Sequence, residues 1–327
     1  MRGFLLAASV LIVMAWACVA SAQGTATSLD IQPGARQNSM GAAGVALEAD
    51  PADAMWWNPA ALGFAEWHGV GYTRANLLPG LADLPYEYIA GAGMVRPGLG
   101  LGVSGTFLDY GQWSDGFSTW RYTEWSGAVA AGYRVTPELA LGVTGKYVNV
   151  DFPSGSNESH TFGFDIGGLY RRTFAPARIG IGFNVQNLGP EMKFGSTSET
   201  SPLSRNFKLG GTVTLPMAIG SAGYEAGATA AVDWDHSLVT DGYDVLHYGV
   251  EISGAYRWWV RLAVRGGYYD DQLGDITDWT WGAGGRVAGL SLDYAQIPQA
   301  RDSGLPNVEK WSIGLHTDAL MKNLSAR

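Results

Sequence analysis

The connections between strand-like segments alternate in length along this chain, and this alternation constrains the fold more than any other feature. Fourteen segments have the composition of β-strands, and short connections alternate with long ones between them. In an up-and-down barrel every second connection lies at the same end, and bacterial membrane barrels collect short turns at one end and longer loops at the other. The alternation therefore predicts an all-β fold, a 14-stranded antiparallel up-and-down transmembrane β-barrel.

The predicted strands have about 9–11 residues or more, which is the length that a tilted membrane-spanning strand needs. They are 66–77, 86–95, 99–110, 120–134, 138–150, 159–172, 177–186, 203–215, 223–235, 244–257, 260–269, 278–288, 290–297 and 308–318. The short connections are 96–98, 135–137, 173–176, 216–222, 258–259 and 289, and the long ones are 78–85, 111–119, 151–158, 187–202, 236–243, 270–277 and 298–307.

Apolar residues alternate with small or polar residues inside these segments. In residues 99–107, for example, Leu101 and Val103 share one face with period 2, and Gly102 and Ser104 share the other. Charged residues of the later strands fall on the small or polar face, which lines the lumen of a membrane barrel. The solvated face of a soluble sheet would carry Lys, which is scarce here. We therefore predict a lumenal charge cluster whose members pair or are hydrated. Its members are Asp233, Glu251, Arg261, Arg265, Arg286 and Asp293.

Aromatic residues gather near the predicted strand ends, which is typical of the two interfacial girdles of a membrane barrel. The long-loop girdle contains Tyr110, Trp113, Trp120, Trp125, Trp234, Tyr268, Tyr269, Trp279 and Trp281, and the short-turn girdle contains Tyr133, Tyr170, Trp258 and Trp259.

The first residues have the pattern of a secretory signal. Arg2 is followed by the apolar stretch 4–16 and by the small-residue site Ala20-Ser21-Ala22, which predicts a signal peptide over 1–22 that is cleaved before Gln23. Cys18 raises the alternative of a lipoprotein, but a bulky Trp lies where a lipoprotein cleavage box needs small residues. A mature chain without cysteine excludes disulfides and thiol chemistry.

The net charge limits the classes of partner that the chain is expected to bind. The formal charge is −9, whereas nucleic-acid binding needs a basic face, so no nucleic-acid partner is expected. No apolar run after the signal reaches the ~18–20 residues of a spanning helix. An exported chain of this kind is expected in the outer membrane of a Gram-negative-type bacterium, with outer-membrane lipid as its first partner.

Residues 23–65 differ from the rest, since they are rich in Ala and lack strand alternation. A 14-stranded barrel is too wide for its wall side chains to fill, so it holds water or a plug. Trp56, Trp57 and Leu62 give this stretch more apolar bulk than a solvated tail carries. The predicted division is therefore a hatch over 23–65, a barrel over 66–318 and a C-terminal tail over 319–327.

Other motifs point to no chemistry. Gly100-x-Gly102-x-x-Gly105 matches a dinucleotide fingerprint, but that motif opens a helix, and here it lies inside a strand. The five histidines have no metal-ligand spacing. The acidic loop 270–278 has no EF-hand pattern, so a solvated loop is favoured over a calcium site. No catalytic triad can be assembled. We expect no enzyme activity, no cofactor and no metal.

Several runs of residues, in this order, resemble the PorV/PorQ-type outer-membrane proteins, which are relatives of the FadL barrels. They are Arg36…Met40-Gly41…Val45-Ala46…Asp50…Ala54…Asn58-Pro59-Ala60-Ala61-Leu62, Val185-Gln186-Asn187-Leu188-Gly189 with Lys193-Phe194, Tyr248-Gly249-Val250-Glu251 with Leu262-Ala263-Val264-Arg265-Gly266-Gly267-Tyr268, and Leu290-Ser291-Leu292-Asp293-Tyr294-Ala295. The resemblance implies an outer-membrane barrel with its N-terminal segment folded inside as a hatch. The residues assigned to the hatch are Arg36, Met40, Gly41, Trp56, Trp57, Asn58, Pro59 and Leu62.

Two functions follow from this resemblance. The first is a non-enzymatic component of a type IX-like secretion or protein-export machinery, with loops 187–202 and 298–307 binding secretion-system proteins. The alternative is a FadL-like channel for hydrophobic small molecules such as fatty acids, with an apolar cavity by the hatch and a lateral opening in the wall. A continuous apolar cavity beside Trp56, Trp57 and Leu62 favours transport, whereas a filled lumen favours partner binding. A soluble periplasmic β domain is a third alternative.

Overall fold

The computed structural model describes residues 24–48, 50–66, 68–114, 116–117, 119–151, 159–194, 200–217, 223–240, 243–257 and 259–317. The predicted signal peptide, the predicted C-terminal tail from 319 onward and Trp258 lie outside these residues, as do the side chains of Trp113 and Trp120.

Strands dominate the described chain, and fourteen of them close into an antiparallel barrel. The strands are β1 His68–Asn76, β2 Pro85–Arg96, β3 Leu99–Ser114, β4 Thr119–Arg134, β5 Leu139–Asp151, β6 Ser159–Phe174, β7 Ala177–Leu188, β8 Met192–Lys193, β9 Thr200–Ser201, β10 Asn206–Met217, β11 Tyr224–Ser237, β12 Asp244–Tyr256, β13 Val260–Asp271, β14 Ile276–Val287, β15 Leu290–Ile297 and β16 Val308–His316. Each barrel strand pairs with its neighbour in the chain, β7 pairs with β10, and β1 pairs with β16 to close the wall. The predicted fold class is confirmed.

The small hairpin β8–β9 stands apart from the barrel, in the connection between β7 and β10. The sequence analysis placed this stretch in a long loop and did not predict the hairpin. Two strands of two residues each give too little alternation to be recognised.

The strict interleaving of long and short connections was wrong in two places. β3 and β4 have 16 residues each, which at ~3.3 Å per residue is more than a tilted strand needs to cross a hydrocarbon core of ~30 Å. Their hairpin therefore continues beyond the membrane, and only 115–118 connect the two strands. This connection is no longer than 135–138, and 238–243 is likewise no longer than 218–223, so the difference in length is lost at these two pairs of connections.

The outer face of the wall is apolar and exposed. Val103, Val143 and Val264 lie on strand positions that point away from the lumen, with 60%, 55% and 59% of their surface exposed. Their neighbours in the chain on the other face are small or polar and are covered by the interior. An exposed apolar belt around a closed barrel needs lipid as its solvent, so the fold is that of a transmembrane barrel.

Two members of the predicted long-loop girdle were wrong. Tyr110 turns inward and contacts Thr27, with 2.7 Å between the two hydroxyl oxygens. Tyr269 packs against His247 on the inner face, with 4.7 Å between ring centroids. Alternation permits only one of two consecutive residues to face lipid. In the pair Tyr268–Tyr269, Tyr268 faces outward and packs on Trp279.

Residues 24–66 form what we call the N-terminal segment, and they lie against the inner face of the wall. The segment contains a 3₁₀ turn at Thr27–Leu29, helix α1 at Ala35–Asn38, helix α2 at Pro51–Trp57 and a 3₁₀ turn at Pro59–Phe64. Pro51 is the first residue of α2, where a missing N–H costs nothing. Asn58 ends α2, and its side chain accepts the N–H of Ala60 to begin the following 3₁₀ turn.

The segment runs through the lumen from the end with long loops to the end with short turns. At the long-loop end, the N–H of Thr25 donates to the carbonyl of Pro202 at 2.8 Å. At the short-turn end, Gly63 lies against Arg134 and Ala140, where β4 ends and β5 begins. No helix in the described residues is both long and apolar enough to span a bilayer.

Candidate functional site

The apolar side of the N-terminal segment is packed into the wall rather than lining an open cavity. Trp57 and Leu62 are fully buried and belong to one cluster with Tyr86 and Tyr88 of β2. Trp56 packs edge-on against Trp57, with 4.8 Å between ring centroids. The indole N–H of Trp57 donates to the carbonyl of Pro33 at 3.1 Å, so its polar atom is satisfied inside the segment.

Glycines on the inner face let the backbone of the segment approach the wall. A Cβ at Gly142 would overlap the backbone of Pro59 and Ala60, and a Cβ at Gly100 would overlap the carbonyl of Leu62. Close approach of two backbones is one of the few reasons for glycine inside a strand. The match of Gly100-x-Gly102-x-x-Gly105 to a dinucleotide fingerprint therefore has a structural explanation, since Gly100 lies in β3 and faces Leu62.

Gly41 fixes the middle of the segment to β12 and β14. Its φ of +68° lies in the left-handed region that favours glycine. Its N–H donates to the hydroxyl of Thr280 at 2.9 Å, and its carbonyl lies 2.7 Å from Nδ1 of His247. Met40, directly before it, is buried against Gly249 and Gly267.

Two buried polar side chains fasten the backbone between the helices. Asp233 of β11 accepts the N–H groups of Gly44 and Val45 at 2.6 and 2.8 Å through a single oxygen, Oδ2. The amide of Asn58 donates to the carbonyls of Val45 and Gly168, at 3.1 and 3.0 Å. Asp233, predicted as a lumenal charge, thus binds the segment and not a cation.

A chain of ion pairs joins the segment to β12, β13 and β15. Arg36 donates through Nε and Nη2 to the two oxygens of Glu251, at 2.8 and 2.9 Å. Arg265 donates through Nε to Glu251 at 2.6 Å and through Nη1 to Asp293 at 2.7 Å. Two arginines and two carboxylates therefore form one network that is largely buried. It brings together three of the six predicted cluster residues and adds Arg36, whose pairing the sequence did not reveal.

Asp30 and Asp53 of the segment are partly buried, and neither forms an ion pair with another described residue. Burial raises the pKa of Asp53 to about 7, and the carboxylates of Asp50 and Asp293 add to the rise. Burial also raises the pKa of Asp30 to about 6, although its hydrogen bonds and Lys208 oppose that rise. Both groups therefore titrate near neutral pH while the segment remains docked.

The lumen contains an open chamber of about 860 Å³ at the short-turn end, below the segment. Arg261 and Arg286, the other two members of the predicted cluster, line this chamber. The chamber also reaches Arg171, whose guanidinium donates to the carbonyl of Leu47 at 2.9 Å and lies 5.1 Å from the centre of the Phe64 ring.

The sequence analysis missed three inward-facing lysines that are buried in the wall. Lys146 lies 2.8 Å from Asp165 and donates to Asn187 at 2.7 Å. Lys310 donates to the carbonyl of Gln32 at 2.6 Å, which fixes the start of the segment. Lys208 pairs with Asp235, which also lies 3.2 Å from His247. Alternation places all three on the polar face, but their partners lie on other strands or in the N-terminal segment and have no sequence signal.

The described residues contain no group of three or more His, Cys, Asp and Glu side chains placed to hold a metal ion. In the acidic connection between β13 and β14, Asp271 accepts the N–H of Gly274 at 2.7 Å and the hydroxyl of Tyr243 at 2.7 Å. These bonds give Asp271 a structural role in the loop.

Comparisons with known proteins show the fold. No family model matches the chain, and no curated protein sequence does. Among solved structures, the chain is similar to the toluene transporter TbuX of Ralstonia pickettii, with 16% identity over 86% of this chain and 97% of that chain and a TM-score of 0.50. It is also similar to the monoaromatic hydrocarbon channel CymD, with 13% identity over 88% and 97% and a TM-score of 0.51. A Pseudomonas aeruginosa FadL homologue aligns over 87% of the chain with a TM-score of 0.44, which is too low to carry an argument. The likeness to TbuX and CymD shows the fold alone, and the PorV/PorQ resemblance stays a prediction.

Proposed function

We propose that the chain is a non-enzymatic outer-membrane barrel that passes small hydrophobic molecules into the cell, as a FadL-like channel does. Its fold is that of TbuX and CymD, whose names describe a toluene transporter and a monoaromatic hydrocarbon channel. Likeness at this level of identity supports the architecture, so the proposal needs a feature of this chain as well.

The observation that carries the proposal is an apolar cluster reaching from the long-loop end to the N-terminal segment. Leu77 and Leu78, at the start of the 77–84 connection, pack on the cluster that contains Trp56 and Tyr86. Beyond the segment lies the open chamber. The apolar cluster on one side and the open chamber on the other would be the two halves of a route, and the docked segment separates them.

Passage then requires the segment or the wall to move. The strands pair all the way around the barrel, with shifts of register at Met94/Arg96, Asp109/Gln112 and Phe164/Ile166. A lateral opening would have to form at such an interruption, because elsewhere a continuous ladder of hydrogen bonds would need to break.

A disulfide between segment and wall tests this route. Ala52 of α2 faces Gly71 of β1, and a Cβ at Gly71 would lie 3.3 Å from the Cβ of Ala52, near the ~3.5–4.5 Å of a disulfide. We expect cells that express the chain to take up toluene faster than cells without it. Oxidised Ala52→Cys/Gly71→Cys should lose that gain, and reduction should restore it. The two single variants are the controls. Equal uptake with and without the wild-type chain would refute the proposal.

A partner-binding barrel for protein export is the second candidate, and one observation favours it. Trp56, Trp57 and Leu62 are packed in a filled cluster instead of lining a continuous apolar cavity. The connections 189–205, with its hairpin β8–β9, and 298–307 would present the binding surface. Crosslinking in cells followed by purification should then recover secretion-system subunits, and their absence together with toluene uptake would exclude this candidate.

A further inference from the structure

A groove lies on the outer face of the barrel, over the seam between β1 and β16. Its volume is about 510 Å³, within the range of ~300–1,000 Å³ that is usual for small-molecule sites. Outward-facing side chains of the two strands line it, such as Tyr72 and Ile313, which are direct partners in the register. Pro79 and Pro306, from the connections 77–84 and 298–307, line it at the long-loop end. The groove therefore lies where the lipid-facing wall meets the long loops.

Aromatic side chains place this groove at the level of the membrane interface. Trp311 lines it with 47% of its surface exposed, and Tyr294 of β15 packs on Trp311 with 4.6 Å between ring centroids. Toward the short-turn end the same face continues with Val70 and Leu315, which are apolar and exposed. Tyr and Trp are enriched where lipid headgroups lie. A lipid in the groove would thus have its headgroup near Trp311 and its acyl chains on the apolar wall.

Two charged side chains also face outward in the groove. Arg74 is the register partner of Trp311, and 58% of its side chain is exposed. Glu309 lies two residues before Trp311 on the same face, and it accepts the hydroxyl of Tyr294 at 3.3 Å. Glu309 forms no ion pair with another described residue. Charges on the lipid face of a barrel are tolerated near the interface, where headgroups and water can solvate them.

The charges around the groove sum to a negative value. The residues that line it contain one cation, Arg74, and one carboxylate, Glu309. A second carboxylate, Glu87 of β2, is the register partner of Arg74 on its other side and lies 3.7 Å from its Nη1. A purely anionic headgroup would meet this surplus of carboxylates, whereas a headgroup with one anion and one cation matches both signs. The charged residues of the two connections do not line the groove and do not reverse the balance; they are Asp83, Arg301 and Asp302.

We propose that the groove binds one molecule of a zwitterionic glycerophospholipid, phosphatidylethanolamine. Arg74 donates to the phosphate, because a guanidinium presents paired N–H donors to phosphate oxygens. The ammonium group of the headgroup pairs with Glu309. The acyl chains lie along Tyr72, Ile313 and the apolar wall beyond them. A lipid bound in this way covers the seam between β1 and β16 on its outer side.

Native mass spectrometry of the full chain in neutral detergent tests this site. The probes are phosphatidylethanolamine and phosphatidylglycerol with identical acyl chains, which share the phosphate and differ in the ammonium group. The wild type should bind phosphatidylethanolamine about fivefold more tightly, which is the effect expected of one exposed charge pair. Equal affinities for the two lipids, or tighter binding of phosphatidylglycerol, would overturn the inference.

Single substitutions separate the roles of the two charges. Arg74→Gln should weaken the binding of both lipids about fivefold, because both contain the phosphate. Glu309→Gln should weaken the binding of phosphatidylethanolamine alone and remove the preference between the lipids. The matched control is Glu191→Gln/Arg301→Gln, which removes one charge of each sign from exposed residues of the long-loop connections outside the groove. It should bind both lipids like the wild type.

A further variant and a fold check protect the test against misfolding. Arg74→Lys keeps the charge and should lose less affinity than Arg74→Gln, because only the paired donors are removed. Heat-modifiable migration in gels shows whether each variant forms the barrel. Unchanged affinities in folded Arg74→Gln and Glu309→Gln would mean that the lipids form only a nonspecific shell around the barrel, and the inference would be wrong. The inference does not rest on the proposed function, since lipid binding outside the wall and toluene uptake are measured separately.

Discussion

Arg36 of the N-terminal segment binds both carboxylate oxygens of Glu251 in β12, at 2.8 and 2.9 Å. This two-point contact is a largely buried ionic connection between the segment and the wall. Glu251 is fixed in turn by Arg265, so the segment is attached to a preorganised group of charges.

Arg36→Gln should loosen the segment, because it leaves part of a buried network uncompensated. Breaking a buried pair from one side costs about 3 kcal/mol or more. We expect faster proteolysis within residues 24–66 and a lower unfolding temperature of the assembled barrel. Arg178→Gln is the matched control, since Arg178 and Glu48 are more than half exposed and such pairs contribute about 0–1 kcal/mol. Equal protease sensitivity of the two variants would contradict the prediction.

Docking of the segment should weaken as the pH rises from about 4 to about 7. The pKa of Asp53 is about 7 in the folded state and 3.8 ordinarily. The undocked state therefore loses its proton first as the pH rises, and the free energy of docking falls until the folded pKa is passed. Hydrogen exchange of residues 35–64 should be faster at pH 8 than at pH 5.

Asp53→Asn should remove most of this pH dependence and slow exchange at pH 8. Asp30, with a pKa of about 6, acts in the same direction, so a smaller dependence below about pH 6 should remain. If hydrogen exchange, corrected for its intrinsic rate, became slower as the pH rises, the predicted weakening of docking with pH would be wrong.

Gly142→Ala should displace the 3₁₀ turn at Pro59–Phe64, because the new Cβ would overlap the backbone of Ala60. Gly145→Ala on the same strand is the control, since the nearest atom to its Cβ would be a Phe164 ring carbon at 3.9 Å. We expect the first variant to lower the unfolding temperature and the second to leave it nearly unchanged. Similar unfolding temperatures would mean that the segment does not pack tightly at this site.

Val264→Arg should impair assembly in the membrane. Val264 lies on the outer face with 59% of its surface exposed, and arginine on a lipid-facing position near the bilayer midplane costs about 2–4 kcal/mol. Leu238→Arg is the control, because Leu238 is also exposed but lies in a connection between strands. Reversible denaturant unfolding in lipid vesicles measures the free energy of unfolding of both variants. A loss of stability at Leu238 as large as that at Val264 would contradict the assigned lipid belt.

The wall could be predicted because each strand carries its own signal. Alternation identified all fourteen barrel strands and the inward direction of residues such as Arg265, since a period of two fixes the face. Tyr110 was misplaced because its position near the strand end was given more weight than its face. The alternation that puts Val103 on the outer face already puts Tyr110 on the inner face.

The interior contacts were only partly predictable. Arg36 was assigned to the hatch and Glu251 to the lumenal cluster, but 215 positions separate them, and local spacing carries no information about such a pair. Arg261 and Arg286 were expected to join the same cluster as Asp233. They line the open chamber instead, because the cluster members occupy different levels along their strands and only neighbours in register can meet.

The wall is completed by a seam between its first and last strands, β1 and β16. The N-terminal segment, which lies in the lumen, precedes β1 and is joined to it at the short-turn end. Because the segment and the seam strand are consecutive in the chain, movement of the last turn of the segment would pull directly on the strand that closes the wall.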